Sequence, residues 1–192
     1  MLQGDLAWYS NMNIKEFKNN ITKDTGIIVI DGRSAAGKTT LANELAKEFN
    51  GEVIHMDDFF LPIELRTEER FNEPGGNVHY ERFLQEVKPY LLSKESFSYR
   101  LFNCKKMDFD GECFIRNNGL VIVEGAYSLH PAFGDYGTLR VFYDITKDTQ
   151  YERILNRDGI EKTQQFVNRW IPFEEKYIKE TNLFSRVDII LN

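Results

Sequence analysis

The sequence is poor in residues that hold transition metals and in the means to enter a membrane. In 192 residues there are two cysteines, Cys104 and Cys113, and three histidines, with no metal-ligand spacing among them. No cysteine-built metal centre or disulfide framework is expected, and free thiols point to a reducing, cytoplasmic setting. No apolar run approaches the roughly 20 residues that span a bilayer. Met1–Asp5 lacks a basic region followed by an apolar core, so no secretory signal is expected either. Positive charge is not in excess: 24 Lys and Arg against 30 Asp and Glu leave a net charge of -6. That balance argues against a general nucleic-acid binder, which needs a basic surface to neutralise phosphates. There is no internal repeat and no low-complexity segment. The length suits one domain over residues 1–192 with a sizeable core.

One stretch organises the chain. Ile27 to Ile30 is an apolar, mostly β-branched run bounded by Gly26 and Asp31. Gly32-Arg33-Ser34-Ala35-Ala36-Gly37-Lys38-Thr39 then fits the phosphate-loop pattern G-x-x-x-x-G-K-[ST] at every fixed position. Thr40 to Phe49 follows with a helical pattern, so strand, glycine loop and helix stand in the order that this motif requires. Glycines let consecutive N–H groups turn inward toward phosphate oxygens, and the helix N-terminus adds its positive dipole end. ATP is the expected ligand of residues 32–40. Lys38 is expected on its β- and γ-phosphates, and the Thr39 hydroxyl on Mg²⁺.

Other candidates follow in chain order. Ile14, Phe17 and Ile21 recur at helical spacing ahead of the first strand. Residues 1–25, an N-terminal extension, either pack on the domain or meet a second subunit, which leaves a homo-oligomer open. Glu52–Met56 reads as a strand that delivers Asp57 and Asp58, then Phe59 and Phe60, to the ligand-binding edge of a parallel sheet. Pro74 to Asn77 cannot continue a helix, and a helix is predicted from His79 to Leu92. Phe97–Phe102 and Glu112–Arg116 read as an antiparallel ribbon (97–116) turned by Asp110-Gly111. Its Tyr99 and Arg100 could face a ligand. Leu120–Val123 is an apolar strand ending in Glu124, where an acid that orders a Mg²⁺ shell is expected. Arg153 and Arg157, four apart on one helix face, form with residues 153–168 an expected lid. A helix from Glu161 to Lys179 carries Arg169, and Pro172 is expected to kink it.

These parts fit phosphoryl transfer, which asks mainly for positioning and charge stabilisation. Thr39 and Glu124 form the metal shell, joined by Asp57 or by water. Asp57 or Asp58 is the base. Lys38, Arg153 and Arg157 are the cations. No Asn-Lys-x-Asp guanine-reading element is present.

Taken together, the segments Asp31–Thr40, His55–Phe60, Phe71–Pro74, Tyr99, Ile122–Gly125 and Arg153–Asp158 resemble the uridine kinase-like branch of phosphate-loop kinases. That branch includes uridine/cytidine kinases, nicotinamide riboside kinases and phosphoribulokinases. Glu73–Asn77, Tyr80–Phe83 and Asn168–Pro172 are similar to segments of bacterial proteins labelled uridine kinase. The resemblance implies a three-layer α/β/α fold around a five-stranded parallel sheet, with the ribbon inserted. It implies an ATP- and Mg²⁺-dependent phosphotransferase with an alcohol acceptor, most simply the 5′-hydroxyl of a nucleoside. Asp57 matches the family's catalytic acid, Tyr99 a residue lining the nucleoside pocket, and Arg153 and Arg157 its lid arginines. The acceptor side is thereby assigned to Asp58, Phe60, Asn72, Tyr99, Arg100 and Arg169. Two departures stand there. Cys104 falls near the place of a base-reading His, and Asn72 falls where an acid holds ribose hydroxyls. They leave two alternatives open: a nucleotide-binding regulatory protein with a degenerate acceptor site, or a kinase of a non-nucleoside alcohol. A small-molecule acceptor is expected as partner, with no nucleic acid and no membrane.

Overall fold

The computed structural model describes residues 10–192. The N-terminal expectations that fall on residues 1–9, the missing secretory signal among them, lie outside the described residues. In chain order the strands are β1 (Ser10–Met12), β2 (Ile27–Gly32), β3 (Glu52–His55), β4 (Phe97–Asn103), β5 (Asp108–Ile115), β6 (Val121–Glu124), β7 (Leu139–Tyr143) and β8 (Ile189–Leu191). The helices are α1 (Ile14–Asn19), α2 (Lys38–Phe49), α3 (Glu68–Asn72), α4 (Tyr80–Glu86), α5 (Lys88–Ser93), α6 (Lys147–Gln165) and α7 (Ile171–Glu180).

Six strands form one parallel sheet in the order β1-β8-β7-β2-β6-β3, and β4 and β5 pair separately as an antiparallel ribbon. The fold is thus the expected α/β one, with a strand more than the five expected. β1 lies along β8 at the sheet edge, with Asn11 opposite Ile190. Three residues are too few for a periodic signal, so this edge strand was not legible.

The apolar runs alternate between two cores. Ile28 and Ile30 of β2, Ile122 of β6 and Val141 of β7 pack with Phe17 of α1 and with Leu41 and Leu45 of α2. Val29, Val121, Val123 and Phe142 point to the other face, against Phe83, Leu91, Tyr99 and Tyr177. Strands buried on both faces need such unbroken apolar runs. β2 sits between β7 and β6, so the loop after it emerges at the crevice between two diverging neighbours, the favoured ligand position of an open parallel sheet.

Three local expectations are corrected. The stretch from His79 to Leu92 breaks at Val87 (φ -123, ψ -60) into α4 and α5. Pro89, in the first turn of α5, has no N–H to continue the earlier helix. Asp110-Gly111 is not the ribbon's turn. Residues 104–107 turn, with Asn103 Oδ1 accepting from Lys105 N and Lys106 N and Met107 at φ 55. Asp110 and Gly111 (φ 92) instead stand opposite Leu101 in a β-bulge, where a left-handed glycine is the usual solution. The helix across Pro172 is interrupted earlier than the proline: residues 166–170 form a π-turn, and Pro172 opens α7. Asp158-Gly159 does interrupt α6, since Gly159 has φ 79 and ψ 175.

One buried carboxylate ties the layers together. Asp31, at the end of β2 and 1% exposed, accepts from Gly32 N (2.7 Å), Tyr127 N (3.0 Å), Leu129 N (3.0 Å) and the Tyr177 hydroxyl (2.8 Å). Burial pushes its carboxyl above the usual carboxylate range, against the pull of these donors and of Lys38. His130 closes the same loop. Its Nε2 meets Pro74 O at 3.1 Å while Nδ1 accepts from Ala132 N at 3.2 Å, so the neutral ring carries its proton on Nε2. Burial pushes its pKa down to about 4.

Two outcomes are expected. Tyr177→Phe leaves Asp31 one donor short and should cost about 1.5–3 kcal/mol in urea unfolding, the range for a hydrogen bond to a charged group. His130 yields a pH dependence with a definite sign. The unfolded ring takes a proton near 6.5 and the folded ring near 4, so the folded state binds fewer protons between them. Stability from this site is full above about 6.5 and falls on acidification toward about 4. The stability gap between the wild type and His130→Gln should therefore shrink between pH 7.5 and 4.5.

Candidate functional site

The loop after β2 is built from backbone that few residues adopt. Gly32, Ala35 and Gly37 have φ of 147, 60 and 110. Gly32 also lies against β7 so closely that a Cβ there would stand 2.3 Å from Tyr143 O. The turn leads into the start of α2, whose first N–H groups have no partner earlier in the helix. The loop is held from outside as well. Arg33 Nε donates to Asp144 (2.7 Å) and its Nη1 to Glu175 (2.6 Å), so the Arg33 side chain braces the loop from behind. Lys38 is buried and its ammonium donates to Gly32 O (2.9 Å) and Arg33 O (2.8 Å). Arg153 Nη1, from α6, donates to Ala35 O (3.2 Å) and Ala36 O (2.7 Å).

A cavity of about 540 Å³ opens over this loop. Its lining brings together residues far apart in sequence: Lys38, Thr39, Asp57, Glu124, Arg153 and Arg157 all face it. Thr39 Oγ1 donates to both Glu124 oxygens, at 3.0 and 3.1 Å. His55 Nδ1 meets Glu124 Oε1 at 2.6 Å, and this contact raises the His55 pKa above its ordinary value. Glu124 comes from the end of β6, beside His55 at the end of β3 in the sheet register. A hydroxyl and a carboxylate side by side are hard oxygen donors of the kind Mg²⁺ takes, with phosphate and water completing its shell. The residues present therefore fit that ion.

Asp57 heads the short 3₁₀ turn Met56–Phe59. It is open to the water of the cavity yet set deep in the protein, and burial first, then the like charge of Glu124, raises its carboxyl above the usual range. Asp58, beside it, is turned away: its Oδ2 accepts from the Tyr99 hydroxyl at 3.0 Å. Tyr99 is 2% exposed and stacked on Phe59. Arg82, also 2% exposed, donates to Asp58 O and to Arg100 O (2.7 Å) and lies over the Phe59 ring. Burial pulls this guanidinium down to about 10. Tyr99, Asp58 and Arg82 thus form a packed wall behind Asp57.

The expected acceptor residues divide. Phe60 lines the cavity, edge-on to Trp170. Arg100 does not: strand alternation puts it outward on β4, where its Nε donates to Glu86 at 2.8 Å. Asn72 is exposed at the end of α3, outside the cavity lining, and its carbonyl accepts from Lys176. Arg169 is exposed on the π-turn over the rings of Phe71 and Trp170. Cys104 is free and exposed in the ribbon turn. The cavity also takes Asn77, Phe166 and Trp170, which fall in segments singled out from the sequence without a role of their own, and Glu174, which sequence reasoning missed. Glu174 carries no local signal.

No family model matches the chain. A uridine kinase of Staphylococcus epidermidis (strain ATCC 35984) is 26% identical over 188 residues, covering 87% of each chain. One of Ureaplasma parvum serovar 3 is 22% identical over 187 residues, covering 89% of this chain and 90% of the relative. A solved structure described as that of "a Possible Uridine Kinase" from Bacillus stearothermophilus superposes with a TM-score of 0.70 at 19% identity, over 93% of this chain and 95% of the other. That likeness is one of fold.

The loop geometry makes a checkable demand. Gly32→Ala must part β2 from the β7 backbone, and should cost on the order of 2–4 kcal/mol in urea unfolding. Gly119→Ala, with nothing within 4 Å of its new Cβ, should stay within about 0.5 kcal/mol of the wild type.

Proposed function

We propose that this chain, a uridine kinase-like phosphate-loop kinase and a phosphotransferase, moves the γ-phosphoryl of ATP to a primary hydroxyl of a small molecule, the 5′-hydroxyl of a nucleoside before others. The observation that carries the reading is a cavity of about 540 Å³ with Lys38 and its loop on one wall and Asp57 on another. That volume suits one small acceptor beside a nucleotide's phosphates.

The loop N–H groups and Lys38 bind the phosphates, and Arg153 and Arg157 offset the charge that gathers in the transition state. Thr39 and Glu124 hold Mg²⁺, which when bound neutralises phosphate charge. Asp57 takes the proton of the acceptor hydroxyl as its oxygen bonds to phosphorus. The electron pair of the breaking P–O bond leaves on ADP. A carboxylate made more basic by burial and by a neighbouring acid is suited to that task. Residues 153–168 act as a lid that excludes water. Residues 1–192 work as one kinase domain, in the cytoplasm.

A second reading, a non-nucleoside alcohol as acceptor, is favoured by two observations: Asp58 and Tyr99 bond each other, and Asn72 stands outside the cavity lining. Acceptor-stimulated ADP release decides between them, with uridine, cytidine, nicotinamide riboside, pantothenate and sugar phosphates as the panel. Stimulation by a nucleoside is the expected result. Stimulation by the last members alone moves the substrate to another alcohol, and none at all turns the reading to a nucleotide-binding regulatory protein. With an active acceptor in hand, Asp57→Asn should lower kcat by about 10²–10⁴-fold with ATP affinity within about threefold. Unchanged turnover removes Asp57 as the base. Lys38→Ala should lower both turnover and ATP affinity.

A further inference from the structure

Glu174, on the first turn of α7, lines the cavity and has no part in the transfer described above. It is 4% exposed. Its Oε1 accepts from the Ser34 backbone N–H at 3.1 Å and from the Ser34 hydroxyl, and its Oε2 accepts from Gln150 Nε2 at 2.9 Å. Ser34 is the third residue of the phosphate loop and lines the cavity. A buried carboxylate therefore occupies a donor suited to a phosphate oxygen. Two anions cannot share that N–H, and like charges brought together in a buried site repel strongly. Burial already pushes the Glu174 carboxyl above its usual range.

The residues around Glu174 show what its displacement would move. Glu175 pairs with Arg33 at 2.6 Å and the Tyr177 hydroxyl donates to Asp31 at 2.8 Å, so one turn of α7 grips the loop at three points. Gln150 is fully buried on α6, one turn before Arg153, whose guanidinium holds the loop carbonyls of Ala35 and Ala36. On the acceptor side, Phe173 stacks on Phe71 and Lys176 donates to Asn72 O. The Ser34–Glu174–Gln150 chain thus joins the phosphate loop to both helices that close the cavity.

We propose that Glu174 is a positioning residue that senses the terminal phosphate: its carboxylate latches Ser34, yields to the γ-phosphate of a triphosphate, and passes that change to α6 and α7. The inference rests on the ATP-dependent reading above. A diphosphate, lacking the competing group, leaves the latch in place.

The test compares Mg²⁺-AMP-PNP and Mg²⁺-ADP binding to the wild type and to Glu174→Gln by titration calorimetry. The amide keeps the shape and removes the charge. AMP-PNP should bind the variant at least about fivefold tighter while ADP stays within about twofold, a split that a purely structural role would not produce. Equal shifts for both nucleotides, no shift, or weaker AMP-PNP binding overturn the proposal. Hydrogen exchange on the wild type tests it without a variant: AMP-PNP, and not ADP, should change protection in residues 171–180, and identical protection overturns it. If the wild type binds neither nucleotide, the ATP-dependent reading fails and takes the latch with it. If it binds both and the ratio is unmoved, the latch alone fails.

Discussion

The carboxylate of Asp31 is the point on which the site depends. It sits where β2 ends and the phosphate loop begins, and it gathers donors from Gly32, Tyr127, Leu129 and Tyr177. None of those groups has water to turn to at that depth, so each would be costly to leave unpaired. The consequence is geometric. The segment after β6 is drawn onto the end of β2, which fixes Gly125 and with it Glu124. α7 is drawn onto the same atom, which sets Glu174 and Glu175 against the loop. Two walls of the cavity are thereby indexed to one side chain that never faces the ligand.

Around that anchor the loop is surrounded by opposed charges. Lys38 and Arg153 rest on loop carbonyls. Glu124 accepts from Thr39, and Glu174 from Ser34. The charged groups of the loop and its surroundings are thus satisfied by the chain itself. On the proposed ATP-dependent reading, binding becomes an exchange of partners. The cations change carbonyls for phosphates at a gain. In the proposed latch Glu174 has no such exchange to make, because the incoming group carries its own sign of charge, and it is the member of the set that moves.

How much of this was legible in the sequence follows the range of each interaction. β2, the phosphate loop and α2 were legible because composition, glycine positions and helical periodicity agree within about twenty consecutive residues. Asp57 and Glu124 were legible from topology, since parallel strands deliver their next residue to the same edge. Asp110-Gly111 was misread because the same dipeptide serves a two-residue hairpin and a glycine bulge, and only the register with Leu101 tells them apart. Arg100 was misplaced although the strand's alternation already set it on the face opposite Tyr99. Glu174 was beyond reach, because its partner Ser34 lies 140 residues away and an acid in the first turn of a helix is ordinarily a favourable pairing with the helix dipole.

The acceptor side of the cavity is backed by a packed polar wall. Tyr99, Asp58 and Arg82 are used up on each other: a hydroxyl on a carboxylate, a guanidinium on two carbonyls, both over the Phe59 ring. A wall packed in this way turns its bonded groups away from the cavity, and it holds the 3₁₀ turn that presents Asp57. On the proposed reading, recognition falls to what remains open beside Asp57, namely Phe60, Trp170 and Asn77. Aromatic faces with one amide select by shape and stacking more than by charge. A donor half held by the phosphate loop and an acceptor half shaped by rings can change independently, since they meet only at Asp57 and along α7. A chain can therefore keep the transfer chemistry of the uridine kinase-like fold while its choice of alcohol is set elsewhere.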